Sequence, residues 1–163
     1  MIDVINTGAC CWSSSLDHRY VLRRHVNMLG SGTCCFIGLN PSTADDQRDD
    51  PTIRRCRGFA KRLGFQYLVM LNIFAFRSTD PVAMKQAADP VGPLNDHYID
   101  QESRQASVVI AAWGHHGKFR GRDQEVMKLI QQDVWCFGTT KGGSPRHPLY
   151  LNQNAELQRY TGT

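Results

Sequence analysis

Ser107-Val108-Val109-Ile110-Ala111-Ala112 runs apolar almost without interruption and stops at Trp113-Gly114. A strand with one wet face alternates polar and apolar residues, whereas an unbroken apolar run describes a strand covered on both faces, as in a parallel sheet. Three further runs read the same way: Thr33-Cys34-Cys35-Phe36-Ile37, Tyr67-Leu68-Val69-Met70-Leu71 and Val134-Trp135-Cys136-Phe137. Helical spacing lies between them. Over 51–63, Ile53, Cys56, Phe59, Ala60 and Leu63 recur on one face. Asp50 suits the cap, Pro51 the first helical position and Gly64 the closing turn. A second helix is predicted over about 93–105, with Leu94, Tyr98 and Ile99 inward, and a third over 122–132, with Val126, Leu129 and Ile130 inward. Strands alternating with helices predict an α/β fold with helices on both faces of the sheet.

The flanks are harder to read. Residues 9–26 read as an added hairpin or irregular cap, and the tail as a short helix around 153–160. The expectation is one domain over 1–163, with a cap at 1–30, a core at 31–151 and a tail at 152–163. A chain of 163 residues buries about 70% of the surface its unfolded form exposes and needs no staples. Hydrophobic residues make up 41% and charged residues 21%, as in an ordinary globule. No run reaches the ~18 apolar residues of a membrane span, and Met1-Ile2-Asp3-Val4 lacks the features of a secretory signal. The expectation is a cytoplasmic protein without a membrane partner. The net charge of +4 leans towards an anionic partner. Cys10, Cys11, Cys34, Cys35, Cys56 and Cys136 lack the spacing of a zinc site and read as buried free thiols.

In open α/β sheets, ligands bind beyond the carboxyl ends of the strands. Each predicted strand ends in residues poorly suited to packing. The first runs into Gly38-Leu39-Asn40-Pro41-Ser42. Gly38 permits close backbone approach, and the Asn40 amide can hold a water or cap its own turn. The second ends at Asn72, which can read the edge of a nucleobase or be satisfied by neighbouring backbone; Phe74, Phe76 and Arg77 follow. The third ends at Trp113-Gly114-His115-His116, where adjacent histidines without an acidic partner at metal spacing argue against a metal. The fourth leads to Lys141, Arg146, His147 and Pro148, and His147 can donate to an oxyanion or be a surface histidine beside a proline. Arg54 and Arg55 on the first helix, with Arg77, Lys141 and Arg146, can meet phosphates or simply be solvated. Asp45 or Asp49 can orient water or contact a sugar hydroxyl.

Together these motifs resemble the uracil-DNA glycosylase superfamily, and the chain looks most like a little-characterised family of unknown function within or beside it. The resemblance runs from about Thr33 to Leu151. Gly38-Leu39-Asn40-Pro41-Ser42 resembles the Gly-x-Asn-Pro-Gly motif of the mismatch-specific and single-strand-selective branches, with Ser42 in place of the last Gly. Leu71-Asn72 is similar to the strand end that reads uracil, Ala112-Trp113-Gly114 to the end of the third strand, and His147-Pro148 to the opening of the second catalytic motif. After Pro148, Leu149-Tyr150-Leu151 stands where Ser-Pro-Leu-Ser is usual.

The resemblance implies a three-layer α/β/α sandwich on a four-stranded, mainly parallel sheet. It implies a DNA glycosylase-like hydrolase for a pyrimidine or modified pyrimidine base, using neither cofactor nor metal. Asn40 would place water, His147 would stabilise the departing base, and Gly38 and Asn72 would hold the base. Phe59, Phe74 or Phe76 would stack on it. A non-catalytic module for a free base, nucleoside or nucleotide, and a base-modifying transferase, remain open alternatives.

Overall fold

The computed structural model describes residues 3–162. Its centre is four parallel strands, β4 (Thr33–Gly38), β5 (Tyr67–Asn72), β6 (Val108–Ala111) and β7 (Val134–Cys136). These are the unbroken apolar runs of the sequence, and their burial explains the missing alternation. In β4, Cys34 and Phe36 pack with Ile53, Cys56 and Phe59 of α1 (Pro51–Arg62) on one face. Cys35 and Ile37 pack on the other face, in a core with Ile99 of α3 (Asn95–Gln105) and Val126 of α4 (Arg122–Leu129). Asp50 caps α1 as expected, accepting from the Ile53 amide at 2.9 Å.

The expectation of a four-stranded, mainly parallel sheet of glycosylase type is overturned. The sheet has eight strands and is mixed, in the order β1-β2-β3-β5-β4-β6-β7-β8. Strands β1 (Val4–Asn6), β2 (Cys10–Ser13) and β3 (Arg19–His25) run antiparallel, and β3 pairs with β5. The segment read as a hairpin or irregular cap is a hairpin, β2–β3, and it continues the central sheet through β5 rather than standing apart from it. Charge concealed it. Arg19, Arg23 and Arg24 break the apolar pattern of β3, yet Arg19 donates to the Ala44 carbonyl at 2.8 Å, Arg23 pairs with Glu102, and Arg24 pairs with Asp49 at 2.8 Å.

The tail differs as well. Residues 158–160 form β8 (Gln158–Tyr160), antiparallel to β7, where a helix was expected. The Asn152 side chain accepts from the Asn154 amide at 2.8 Å, which sets a turn before the strand. A short helix, α2 (Pro81–Gln86), capped by Asp80, has no counterpart among the expected elements. All six cysteines are free and buried. Burial pushes the Cys10 thiol up to about 12 and raises Cys34 and Cys56 further. Among the described residues, no helix is long and apolar enough to cross a membrane.

Candidate functional site

The chain passes from β4 through α1 to β5 on one side, then crosses to β6 on the other side of β4. Beyond the paired carboxyl ends of β4 and β6, the chain leaves towards α1 on one face and towards α4 on the other, which is where open α/β sheets bind ligands. A crevice of about 400 Å³ lies there. Leu39, Asn40 and Ser42 enter it from β4, Pro51 and Thr52 from the start of α1, and Trp113, Gly114, His115 and His116 from beyond β6. His147, Leu149 and Tyr150 close the remaining side. A second pocket of about 320 Å³ shares Gly114, His115, His147 and Tyr150 with it and adds Lys141 and Arg146.

Asn40 is fixed by its amide nitrogen, which lies 2.9 Å from the Ser78 carbonyl, 3.2 Å from that of Pro41 and 3.4 Å from that of Phe76. The loop is pinned again where Ser78 donates to the Pro41 carbonyl at 2.9 Å and Arg77 to that of Ser42 at 3.0 Å. With its donors spent, the side chain has Oδ1 left over, and this oxygen accepts from no described residue. Asn40 thus presents a held acceptor at the crevice wall.

His147 is the converse. Its Nδ1 accepts from the Leu149 amide at 3.3 Å and so caps a 3₁₀ turn over Pro148–Tyr150. An imidazole nitrogen that accepts carries no proton, so the neutral ring bears its hydrogen on Nε2. Burial lowers the pKa of His147, against an opposing pull from the Asp50 charge, and this favours the neutral donor form. His116 follows the same logic. Lys85 Nζ lies 3.0 Å from its Nδ1; an ammonium has no lone pair, so Nδ1 accepts. Burial, aided by His115 and Lys85, lowers its pKa.

Other expected site residues lie elsewhere. Asn72 pairs with Gly38 across the strands and is 2% exposed; it does not line the crevice. A Cβ on Gly38 would lie 2.9 Å from its Oδ1, and its Nδ2 is buried without a partner. Phe59 stacks on Phe137 at 4.5 Å between centroids, Phe74 is buried against Phe119, and Phe76 meets His18 edge-on; none of the three lines the crevice. Trp113 is a buried wall, edge-on to Tyr160 at 5.8 Å.

Asp45 accepts from the amides of Gln47 and Arg48, which holds its pKa down. Asp49 binds Arg24 and Arg57, and neither Asp45 nor Asp49 lines the crevice. The crevice carboxylate, Asp50, has both oxygens engaged, by the Ile53 and Ala44 amides. Arg77 lies over the Trp12 ring, 5.1 Å from its centroid. Arg54 and Arg55 lie along α1 outside the crevice, while Lys141 and Arg146 flank it. His116, Thr52 and Tyr150 are crevice residues that the sequence reading did not select. Their signal was positional only, since each follows a strand end or opens a helix.

A family model described as "Protein of unknown function (DUF1643)" matches residues 19–149. The chain belongs to this family. The match begins at the first residue of β3 and ends within the turn that His147 caps, so the DUF1643 unit contains β3, the parallel centre and most of the crevice lining, while β1, β2 and Tyr150 lie outside it. No curated protein and no solved structure matched the chain. Nothing in these comparisons links it to the uracil-DNA glycosylases.

Proposed function

We propose that this DUF1643 protein hydrolyses the N-glycosidic bond of a pyrimidine or modified pyrimidine nucleoside unit. The observation that carries this reading is the opposed pair in one crevice: a held acceptor, Asn40 Oδ1, and a held donor, His147 Nε2–H. In such a reaction water attacks C1′, the carbon–nitrogen bond breaks, and its electrons pass to the base. Asn40 Oδ1 would accept from the attacking water, whose proton finally leaves to solvent. His147 would donate to the base oxygen as negative charge grows there. A preorganised donor of this kind typically supplies about 3–4 kcal/mol of transition-state stabilisation. Lys141 and Arg146 beside the crevice suit a phosphate on the substrate.

One observation favours binding without chemistry. Asp50, the crevice carboxylate, is mostly buried and held by a backbone amide at each oxygen, which ties it to capping rather than to a mobile role as general base. A single assay separates the readings. Purified protein is incubated with oligonucleotides and nucleosides carrying uracil or modified pyrimidines, and abasic sites and free base are measured. Hydrolysis predicts base release that Asn40→Ala abolishes. Saturable binding with no release from any substrate would leave only the binding module.

A further inference from the structure

Beside the 3₁₀ turn of His147, a groove of about 330 Å³ runs along α1, lined by Arg54, Arg55, Gly58, Phe59, Arg62 and the tail amides. Among the described residues, no carboxylate lines it. Arg57, on the same helix, pairs with Asp49 at 2.9 Å, a carboxylate that it shares with Arg24. The three groove arginines meet only main-chain carbonyls: Arg54 that of Asp49, Arg55 those of Pro148 and Leu151, and Arg62 that of Ala155. Arg55 and Arg62 also lie over the Phe59 ring, at 5.3 and 5.5 Å from its centroid. Their positions are fixed while their charges stay unpaired, which is the state that meets phosphate without reordering.

Gly58 is the second observation. It sits in the interior of α1, where glycine costs about 0.5–1 kcal/mol relative to alanine. Nothing lies within 4 Å of a Cβ placed on it, so packing does not require glycine there. Its effect is to leave the groove floor bare. The third observation is Tyr150. It is 80% exposed, on the turn whose flanking carbonyls Arg55 holds. It lines both the Lys141–Arg146 pocket and the crevice, and Arg55 of the groove bonds the carbonyls of Pro148 and Leu151 on either side of it.

We propose that single-stranded nucleic acid lies along this groove, its phosphates on Arg54, Arg55 and Arg62 and an unpaired base on Tyr150, so that the next nucleotide enters the crevice. The proposal rests on the hydrolase reading for what happens in the crevice, but binding is independent of it. An exposed ring can stack only on a base freed from its pair, which favours a single strand over a duplex.

The test is fluorescence anisotropy with labelled unmodified single strands over a salt series. Each phosphate contact on a single strand adds about 0.7 to the slope of log affinity against log salt. Arg54→Gln and Arg62→Gln should each lower the slope by about that amount, while Arg57→Gln leaves it unchanged. Tyr150→Ala should weaken binding roughly 5- to 150-fold at constant slope. Gly58→Leu fills the groove with a better helix former, so affinity should fall while the melting temperature holds or rises. Duplex binding as tight as single-strand binding, equal competition by poly-glutamate, or full affinity in Gly58→Leu would each overturn the proposal. Base release from nucleosides without strand binding would sink the groove alone. Strand binding without base release would sink the hydrolase alone.

Discussion

Replacing Asp50 with alanine removes two buried hydrogen bonds at once, and its cost follows from them. Oδ1 accepts from Ile53 at the start of α1, and Oδ2 accepts from Ala44 at 3.3 Å. Loss of a helix cap costs about 0.5–2 kcal/mol. The Ala44 amide, left without a partner in the interior, adds about 1–3 kcal/mol. The sum is about 1.5–5 kcal/mol, or roughly 3–20 °C in melting temperature for a chain of this size. Asp50→Asn keeps an acceptor for the cap but turns a donor towards Ala44, so it recovers the first contribution only. Both changes also remove the negative charge that supports protonation of His147. Thermal melting followed by circular dichroism measures the first effect, and proton NMR titration of the His147 ring measures the second. If Asp50→Ala melts within about 2 °C of the parent, or the His147 midpoint does not move downward, the assignment of Asp50 is wrong.

Two further expectations concern the same region. Gly38→Ala places a methyl 2.7 Å from Met70 Cε and 2.9 Å from Asn72 Oδ1; over-packing of this kind costs about 1–3 kcal/mol, read as a lower urea midpoint at unchanged m-value. Folding lowers the pKa of His147 and His116 below the ordinary ~6.5, so the unfolded chain binds more protons in mild acid. The stability tied to their neutral forms is complete above about pH 6.5 and falls as the pH drops towards their depressed values. His147→Gln should flatten the unfolding free energy between about pH 5 and 7. An identical slope in parent and variant would refute the linkage.

The parallel centre was legible because both faces of its strands are buried, and unbroken runs such as 67–71 have no other economical reading. The same signal failed at β3. There, arginine at 19, 23 and 24 looks like surface, and only partners distant in sequence, Ala44, Glu102 and Asp49, make the positions tolerable. Strand β8 was illegible because three residues carry too little periodicity to distinguish strand from helix. In the site, Asn40 and His147 were found from strand-end position and residue type. Asn72 looked equivalent by those criteria. Whether a strand-end amide turns towards solvent or is sealed beneath a neighbouring glycine depends on inter-strand register, and no local pattern encodes that. His116 was passed over because its neighbour His115 suggested a metal, whereas its partner is an ammonium from α2.

Strand β8 joins two jobs in three residues. Through its backbone it completes β7, whose outer hydrogen-bonding groups would otherwise be an open template for another chain. Through Tyr160 it braces the indole beneath the crevice. Proteolytic clipping just before β8 would therefore produce aggregation and a slackened ligand site together, so the segment 158–160 serves this chain as a fastening and a poor place to cut.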